Sequence, residues 1–280
     1  MNEPIVRVAQ RSFIGARSGN EDSLAVEECG GKWCLVLSDG AGGHSDGALA
    51  SRLAVERVVS GFRSRPPADP ADLAELVLDA HDAVLAAQRV RRETNPTSGM
   101  FATVVVLVLD VANGRAMWGH VGDSRLYHWR GGKLVSVTRD DSVLQAMIDT
   151  GVVDASRMQS VAHRNLLLAA LGSSSEIEPN VQGPLELGAS DAFLLCTDGW
   201  WGGLETGRIG MFLAQACSPD AWLDAMGALM AEHADPHQDN HSAIACWVGE
   251  KSAGKIPENE LDTIVGGPGS GGAQRTSRPT

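Results

Sequence analysis

The sequence predicts an α+β fold, an αββα four-layer sandwich in which helices flank two mostly antiparallel sheets. Short β-like runs cluster in three regions of the chain, and amphipathic helical stretches separate those regions. The runs follow one another as meanders, without the regular strand–helix alternation that a parallel sheet requires. Paired strands together with paired amphipathic helices therefore favour two sheets packed face to face, each covered on its outer side by helices.

The β-like runs are short and apolar, and turn signals separate them. They span residues 5–9 and 33–38, the region 103–129, and residues 192–196 and 243–248. Asn113-Gly114 predicts a hairpin with a type I′ turn, because both residues accept the positive φ of that turn. Gly131-Gly132 predicts a second hairpin.

Several further stretches are predicted to be helical, and two of them carry a clear apolar face. The helical stretches span residues 47–62, 71–91, 143–149, 165–171, 205–216 and 221–233. The second begins just after Pro70, a residue typical of the first helical turn. From residue 250 onward Gly, Ser, Pro and Thr dominate. We therefore expect residues 1–249 to form the domain and residues 250–280 to be a flexible tail or linker.

The composition of the 280-residue chain excludes several classes of protein. A formal net charge of −12 argues against a protein that coats nucleic acid and against an anionic membrane surface as partner. The longest apolar run, residues 102–109, is shorter than the roughly 20 residues that cross a bilayer, and no N-terminal stretch resembles a signal sequence. The five cysteines form no CxxC pair, which favours reduced thiols. These features predict a cytoplasmic protein.

Acidic residues recur at the ends of the apolar β-like runs. Asp39, Asp198 and Asp239 each lie at such an end, and Asp123 lies between two runs. A turn alone explains any single Asp-Gly pair, because both residues favour turns. Repetition favours a function, since strand ends can gather carboxylates at one point. Converging carboxylates repel one another and need cations, and oxygen ligands select hard ions such as Mg²⁺ or Mn²⁺. The chemistry suited to such a site is hydrolysis by metal-activated water.

Ordered segments of the chain resemble the bacterial metal-dependent protein phosphatases of the type 2C family. The matching segments are 17–22 (RSGNED), 39–44 (DGAGGH), 120–125 (HVGDSR), 138–142 (TRDDS), 145–151, 164–172, 196–199 (CTDG) and 239–240 (DN). The resemblance covers about residues 7–249, and so many matches in order are more specific than any one of them. It implies that residues 1–249 form a phosphatase domain with the αββα sandwich.

The resemblance also implies a dinuclear Mn²⁺ or Mg²⁺ centre, with a third, weaker ion. Asp39 matches the carboxylate that bridges both ions, Gly40 offers its carbonyl to the first, and Asp198 and Asp239 match ligands of the second. Asp123 matches the acid that holds the third ion together with Asp198.

The segment 17–22 completes the implied site. Glu21 is expected to act through metal-bound water, and Asp22 to support the metal site. Arg17 matches the arginine that clamps the substrate phosphate, which makes Arg17 and Asp39 the expected catalytic residues. A guanidinium suits this role because it grips phosphate oxygens in a bidentate manner.

The chain departs from the family pattern at a few positions. Ala41 stands where Met or His is usual, so it cannot donate a proton to the leaving group, and His44 either assists or only packs a turn. Asp141 replaces the usual His, and residues 100–103 replace a Gly-Thr-Thr-like segment.

The leading hypothesis is hydrolysis of phosphoserine and phosphothreonine in proteins. The expected partners are phosphorylated proteins, substrates of a Ser/Thr kinase in a signal-transduction pair, and the expected state is a monomer that binds neither nucleic acid nor membrane. One alternative is a catalytically weak regulatory or phosphoprotein-binding module of the same fold, and another is a phosphoesterase for small molecules. Trp200 and Trp201, just after Asp198, either line the substrate groove or pack under a flap.

Overall fold

Two antiparallel sheets lie at the centre of the computed structural model, as the sequence predicts. The structure describes residues 5–41, 45–154, 166–173, 176–233 and 235–249. The expectations for His44 and for the tail at 250–280 lie outside the described residues. None of the helices within these ranges is both long and apolar enough to cross a membrane.

The first sheet has five strands, in the spatial order β1 (Val6–Phe13), β11 (His241–Val248), β10 (Asp191–Cys196), β7 (Arg125–Arg130) and β8 (Lys133–Val137). The second has the order β2 (Asp22–Cys29), β3 (Lys32–Ala41), β5 (Val104–Asp110), β6 (Arg115–Val121) and β9 (Asn180–Glu186), and the short β4 (Phe101–Ala102) pairs with the end of β3. Every strand pair is antiparallel.

Helices cover the outer faces of both sheets. Two long helices, α1 (Ser45–Ser64) and α2 (Pro70–Thr94), pack on the second sheet. The first sheet is covered by α4 (Asp198–Trp201), α5 (Thr206–Gln215) and α6 (Pro219–Glu232). A short helix, α3 (Val143–Asp149), follows β8. The four-layer αββα sandwich is therefore confirmed.

Alternating side chains of the strands supply three layers of core. In β3, Cys34 and Val36 face the helices, whereas Leu35 and Leu37 face the other sheet. In β11, Ile244 and Cys246 lie between the sheets, and alternate residues face the helices on the outside. Because successive strand residues point to opposite faces, a strand buried on both sides is apolar throughout.

Helix boundaries follow local capping chemistry. Asp69 precedes α2, its side chain accepts a hydrogen bond from the Asp72 amide over 3.0 Å, and Pro70 takes the first helical position. Ser218 caps α6 in the same way, accepting from the Ala221 amide over 3.0 Å. These caps satisfy amides that have no partner within the helix.

Two expectations about local structure are wrong. Asn113-Gly114 does lie between paired strands, but the connection is the four-residue segment 111–114 instead of a two-residue turn, closed by a hydrogen bond from Gly114 N to Val111 O. The described part of the predicted helix at 165–171 is not helical. Its backbone bonds to other segments, with Leu168 N donating to Asp141 O and Leu171 pairing with Ala102. Bonds to other segments therefore replace helical ones here.

Other local expectations are confirmed or extended. Gly131-Gly132 closes a two-residue hairpin between β7 and β8 with positive φ at both glycines. The strands β2 and β9 were not anticipated, since their burial is only partial and their apolar signal is weak.

Candidate metal centre and phosphate site

One end of the sandwich gathers acidic residues from both sheets. Asp39 lies near the end of β3, directly opposite Asp22 of β2. Asp198 is the first residue of α4, immediately after β10, and Asp239 lies just before β11. Because β10 and β11 are adjacent and antiparallel, the end of one strand and the start of the next meet at the same edge. Sheet topology thus brings together acids that are far apart in sequence.

A pocket of about 320 Å³ opens at this end. Its walls are Arg17, Ser18, Gly19, Glu21, Asp39, Gly40, Ala41, Thr103, Asp123, Leu167, Asp198, Asp239 and Asn240. Every residue predicted to bind metal or phosphate is in this wall except Asp22. The Asp22 carboxylate lies behind the wall, where its Oδ2 accepts a hydrogen bond from Thr197 Oγ1 over 3.1 Å.

Crowding of carboxylates in a poorly solvated recess changes their acidity. Burial, followed by repulsion from Asp198, Asp22 and other acids, raises the pKa of Asp39 well above its ordinary value. Burial raises the pKa of Asp22 to about 7, with repulsion from Asp198 adding to it, although hydrogen bonds from Ser242 and Thr197 act in the opposite direction. Burial and repulsion from Asp198 likewise raise the pKa of Asp123. Bound cations or bound protons would relieve this repulsion.

The donor set fits a hard divalent cation. The acidic residues offer only oxygen, and Oδ1 of Asp22 is buried without a hydrogen-bond partner among the described residues. In the arrangement of the described side chains, no three His, Cys, Asp or Glu groups are placed to hold one ion together. The residues therefore match the chemistry of a metal site.

Glycine is required beside the central aspartate. A Cβ on Gly40 would lie 2.2 Å from the Gly47 carbonyl oxygen and 2.8 Å from that of Glu21. The Gly40 amide also donates to Glu21 O over 3.1 Å. This close approach of three backbone segments brings the segment 17–22 against the end of β3.

Thr103, which lies between β4 and β5, holds Asp39 in place. Its Oγ1 accepts from the Asp39 amide over 3.0 Å, and its own amide donates to Asp39 O over 2.8 Å. The same hydroxyl lies 2.7 Å from Ser124 Oγ, next to Asp123. The threonine that the unusual segment 100–103 retains thus links two predicted metal ligands.

Asn240 organises the loop that carries Arg17. Its Nδ2 donates to the carbonyls of Ile14 and Gly19 over 2.8 and 2.9 Å, and its Oδ1 accepts from the Glu21 amide over 2.8 Å. Asn240 is itself buried. Its sequence context alone assigns it no role, although its place beside Asp239 in a matched segment is a usable signal.

The structure shows where two departures from the family pattern, Asp141 and Ala41, lie relative to the pocket. Asp141 does not line the pocket, since its carboxylate accepts hydrogen bonds from the Gly122 amide over 3.0 Å and from Asn180 Nδ2 over 2.8 Å. Trp200 and Trp201 are buried and do not line the pocket, which argues against a place in the wall of the substrate groove. Ala41 is in the wall and offers no proton donor.

Comparison with known proteins agrees with this arrangement. Residues 9–242 match the family described as protein phosphatase 2C. Serine/threonine protein phosphatase PstP of Mycobacterium tuberculosis is 34% identical over 196 residues, 70% of this chain. The chain spans only 36% of the length of PstP. Protein phosphatase PhpP of Streptococcus pneumoniae is 26% identical over 171 residues, which are 60% of this chain and 68% of PhpP.

Solved structures share the fold. The catalytic domain of PstP, in complex with two manganese ions, superposes with a TM-score of 0.73 at 28% identity, over 88% of this chain and 100% of that domain. The S. agalactiae serine/threonine phosphatase gives a TM-score of 0.76 at 22% identity, over 88% of this chain and 100% of the other. With its two sheets, its acidic pocket and the match over residues 9–242, this chain belongs to the protein phosphatase 2C family.

Proposed function

We propose that this protein is a metal-dependent serine/threonine protein phosphatase that hydrolyses phosphoserine and phosphothreonine. The observation that carries the proposal is the pocket in which Arg17 lies beside four aspartates and Glu21. A guanidinium next to a cluster of oxygen ligands suits the binding of a phosphate monoester at metal ions. The names of PstP and PhpP support the same activity.

The chain's own residues suggest how Mn²⁺ or Mg²⁺ would be held. Asp39 is in the pocket wall and would be shared by two ions, with the Gly40 carbonyl on the first and Asp198 and Asp239 on the second. Asp123, which is close enough to Asp198 for the two to repel each other, would hold a third, weaker ion with it. When bound, the ions would activate a water molecule and neutralise charge on the phosphate.

The segment 17–22 would complete the centre. Glu21 is in the pocket wall and would act through water, and Asp22 would support Asp39 from behind the wall. Arg17 would bind the phosphate oxygens. Its side chain is 57% exposed, which leaves it accessible to an incoming phosphoprotein.

The same pocket favours an enzyme over a binding module of this fold. Asp39, Asp198 and Asp239 are all present in the pocket wall, whereas a module without catalysis has no need to keep a full ligand set. We also propose a phosphoprotein made by a Ser/Thr kinase as substrate, a role in signal transduction, a monomeric state and a cytoplasmic location.

The test is metal-dependent release of phosphate from a phosphothreonine peptide. Asp39→Asn should abolish it, and Asp82→Asn, the same chemical change on the exposed face of α2, should leave it intact. Full activity of Asp39→Asn would contradict the proposal. A panel that adds nucleotides and sugar phosphates would reveal a small-molecule phosphoesterase by its preference for those substrates.

A further inference from the structure

Asp123 is anchored at its main chain by a tryptophan from another part of the chain. The indole Nε1 of Trp201 donates a hydrogen bond to the Asp123 carbonyl oxygen over 2.9 Å. Trp201 is buried and ends the short helix α4, whose first residue is Asp198. One short helix therefore carries a predicted metal ligand at its start and the anchor of a second predicted ligand at its end.

The indole ring is itself clamped in position. The Arg125 guanidinium lies over it, with Cζ 3.6 Å from the ring centroid, close enough for a cation–π contact. Arg125 also makes a bidentate pair with Asp140, with both N–O distances 2.8 Å. Both partners of this pair are nearly inaccessible to solvent, which strengthens the contacts and limits rearrangement of the ring.

The other side of the Asp123 turn is fixed independently. Gly122 has a φ of +99°, and a Cβ there would lie 2.7 Å from Thr103 Cγ2. Its amide donates to Asp141 Oδ2 over 3.0 Å, and its carbonyl accepts from the Asp141 amide over 2.9 Å. From the Asp198 side, the indole N–H of Trp201 contacts this turn at the Asp123 carbonyl.

We propose that Trp201 is a positioning residue that sets the distance between Asp123 and Asp198, and thereby the affinity of the third, weaker cation site. The inference rests on the proposed function, because Asp123 and Asp198 are the ligands assigned to that ion. Residues that orient metal ligands typically change metal affinity tenfold or more when they are replaced. Trp201 thus links the backbone of Asp123 to the helix that carries Asp198.

Trp201→Phe is the direct test, because it removes the N–H and keeps an aromatic ring beneath Arg125. We expect the Mn²⁺ concentration for half-maximal activity to rise about tenfold. The KM for a phosphothreonine peptide at saturating Mn²⁺ should stay unchanged. The matched control is Trp200→Phe, since Trp200 is also buried and its Nε1 has no hydrogen-bond partner within the described ranges. An equal Mn²⁺ requirement for the two variants would overturn the proposal.

A double variant distinguishes the positioning of Asp123 by Trp201 from a general loss of order around the site. If Trp201 acts through Asp123, Trp201→Phe should not raise the Mn²⁺ requirement further in an Asp123→Asn background. An additive effect there would also overturn the proposal. Arg125→Lys provides a second route, because lysine keeps the charge and loses the planar fork that clamps the ring. It should shift the Mn²⁺ requirement in the same direction, and thermal melting will exclude variants that do not fold.

Counting bound ions keeps this test separate from the activity. The EPR signal of free Mn²⁺ gives the binding curve of each variant without any substrate. The dissociation constant of the weakest Mn²⁺ binding step should rise in Trp201→Phe. In Trp200→Phe it should equal that of the wild type. A wild-type protein that binds Mn²⁺ in this way and hydrolyses no phosphopeptide would refute the proposed function alone. A weakest step that is unchanged in Trp201→Phe would refute the role of Trp201 alone.

Discussion

The guanidinium of Arg17 donates a hydrogen bond to Oδ2 of Asp239 over 2.7 Å. This pair joins the group proposed to bind phosphate to a group proposed to bind metal. Both side chains are partly exposed, at 57% and 36%, so solvent screens their attraction and the pair is worth little by itself. A phosphate with two negative charges can therefore replace Asp239 as the partner of Arg17, and a cation can replace Arg17 as the partner of Asp239, with little loss of free energy.

Arg17→Ala should lower kcat/KM for a phosphothreonine peptide by about 10- to 100-fold, the equivalent of about 1.5–3 kcal/mol for hydrogen bonds to a charged group. Arg17→Lys keeps the charge and should recover only part of the loss, because it cannot form the bidentate contact. Steady-state kinetics with Arg52→Ala, an exposed arginine of α1, as the control will measure this. Arg17→Ala kinetics equal to wild type would remove Arg17 from the site.

Asn240→Ala should destabilise the protein by about 2–3 kcal/mol, because it leaves two carbonyls and one amide of the loop 14–21 without their partner. Urea denaturation measures this loss. Asn240→Asp is the informative companion variant. It keeps the acceptor for the Glu21 amide and turns a second acceptor towards the carbonyls of Ile14 and Gly19, so it should be no more stable than Asn240→Ala. If Asn240→Asp restores wild-type stability, the hydrogen bonds assigned here are wrong.

Asp141→Ala should lower the free energy of unfolding by about 1–3 kcal/mol, since it removes the acceptor of the Gly122 amide. Asp141→Asn should be milder, because its side-chain oxygen can still accept from Gly122 while Asn180 reverses its amide to accept from the new NH₂ group. Thermal or urea unfolding of both variants checks this order. Equal stability of the two variants would show that the carboxylate does not hold the turn.

The acidic cluster predicts that the metal-free protein loses stability as pH rises. Burial raises the pKa of Asp22 to about 7 in the folded state, whereas the unfolded chain titrates near the ordinary value. Between these two values the folded state binds more protons, so the free energy of unfolding falls as pH increases. In the presence of a chelator, the urea midpoint at pH 5 should exceed that at pH 7.5.

Asp22→Asn is the variant that checks this pH dependence, because its side chain does not titrate. Its urea midpoint should fall less between pH 5 and pH 7.5 than that of wild type. Added Mn²⁺ should stabilise the wild type more at pH 7.5 than at pH 5, since protons and cations compete for the same carboxylates. If the urea midpoint of Asp22→Asn falls between pH 5 and pH 7.5 as much as that of wild type, Asp22 is excluded as the source of the pH dependence.

The parts of this molecule that the sequence predicts are those with a local signal. Continuous apolar runs identify β3, β5 and β11, and the acids Asp39, Asp198 and Asp239 at strand ends identify the pocket wall. The contribution of Asn240 was missed, because its partners at Ile14 and Gly19 are more than two hundred residues away along the chain. The packing of Trp201 on Asp123 was missed for the same reason, since nothing local distinguishes an anchoring indole from one that only fills space.

The error at 165–171 has a related cause. The apolar residues Leu166, Leu168 and Leu171 suit a helix, but their backbone bonds to the segments at Ala102 and Asp141 instead. Tertiary hydrogen bonds here outweigh an intrinsic preference of a few tenths of a kcal/mol per residue. Local propensity cannot reveal such competition.

Asp39 belongs to the second sheet, whereas Asp198 and Asp239 flank strands of the first. Ions shared among these side chains would cross-link the two sheets of the sandwich at one end. Separation of the sheets would then require release of the ions, so Mn²⁺ should make the two sheets open as one cooperative unit. Amide hydrogen exchange should slow in β3 and in β10 by the same factor on addition of Mn²⁺, even though the two strands lie in different sheets.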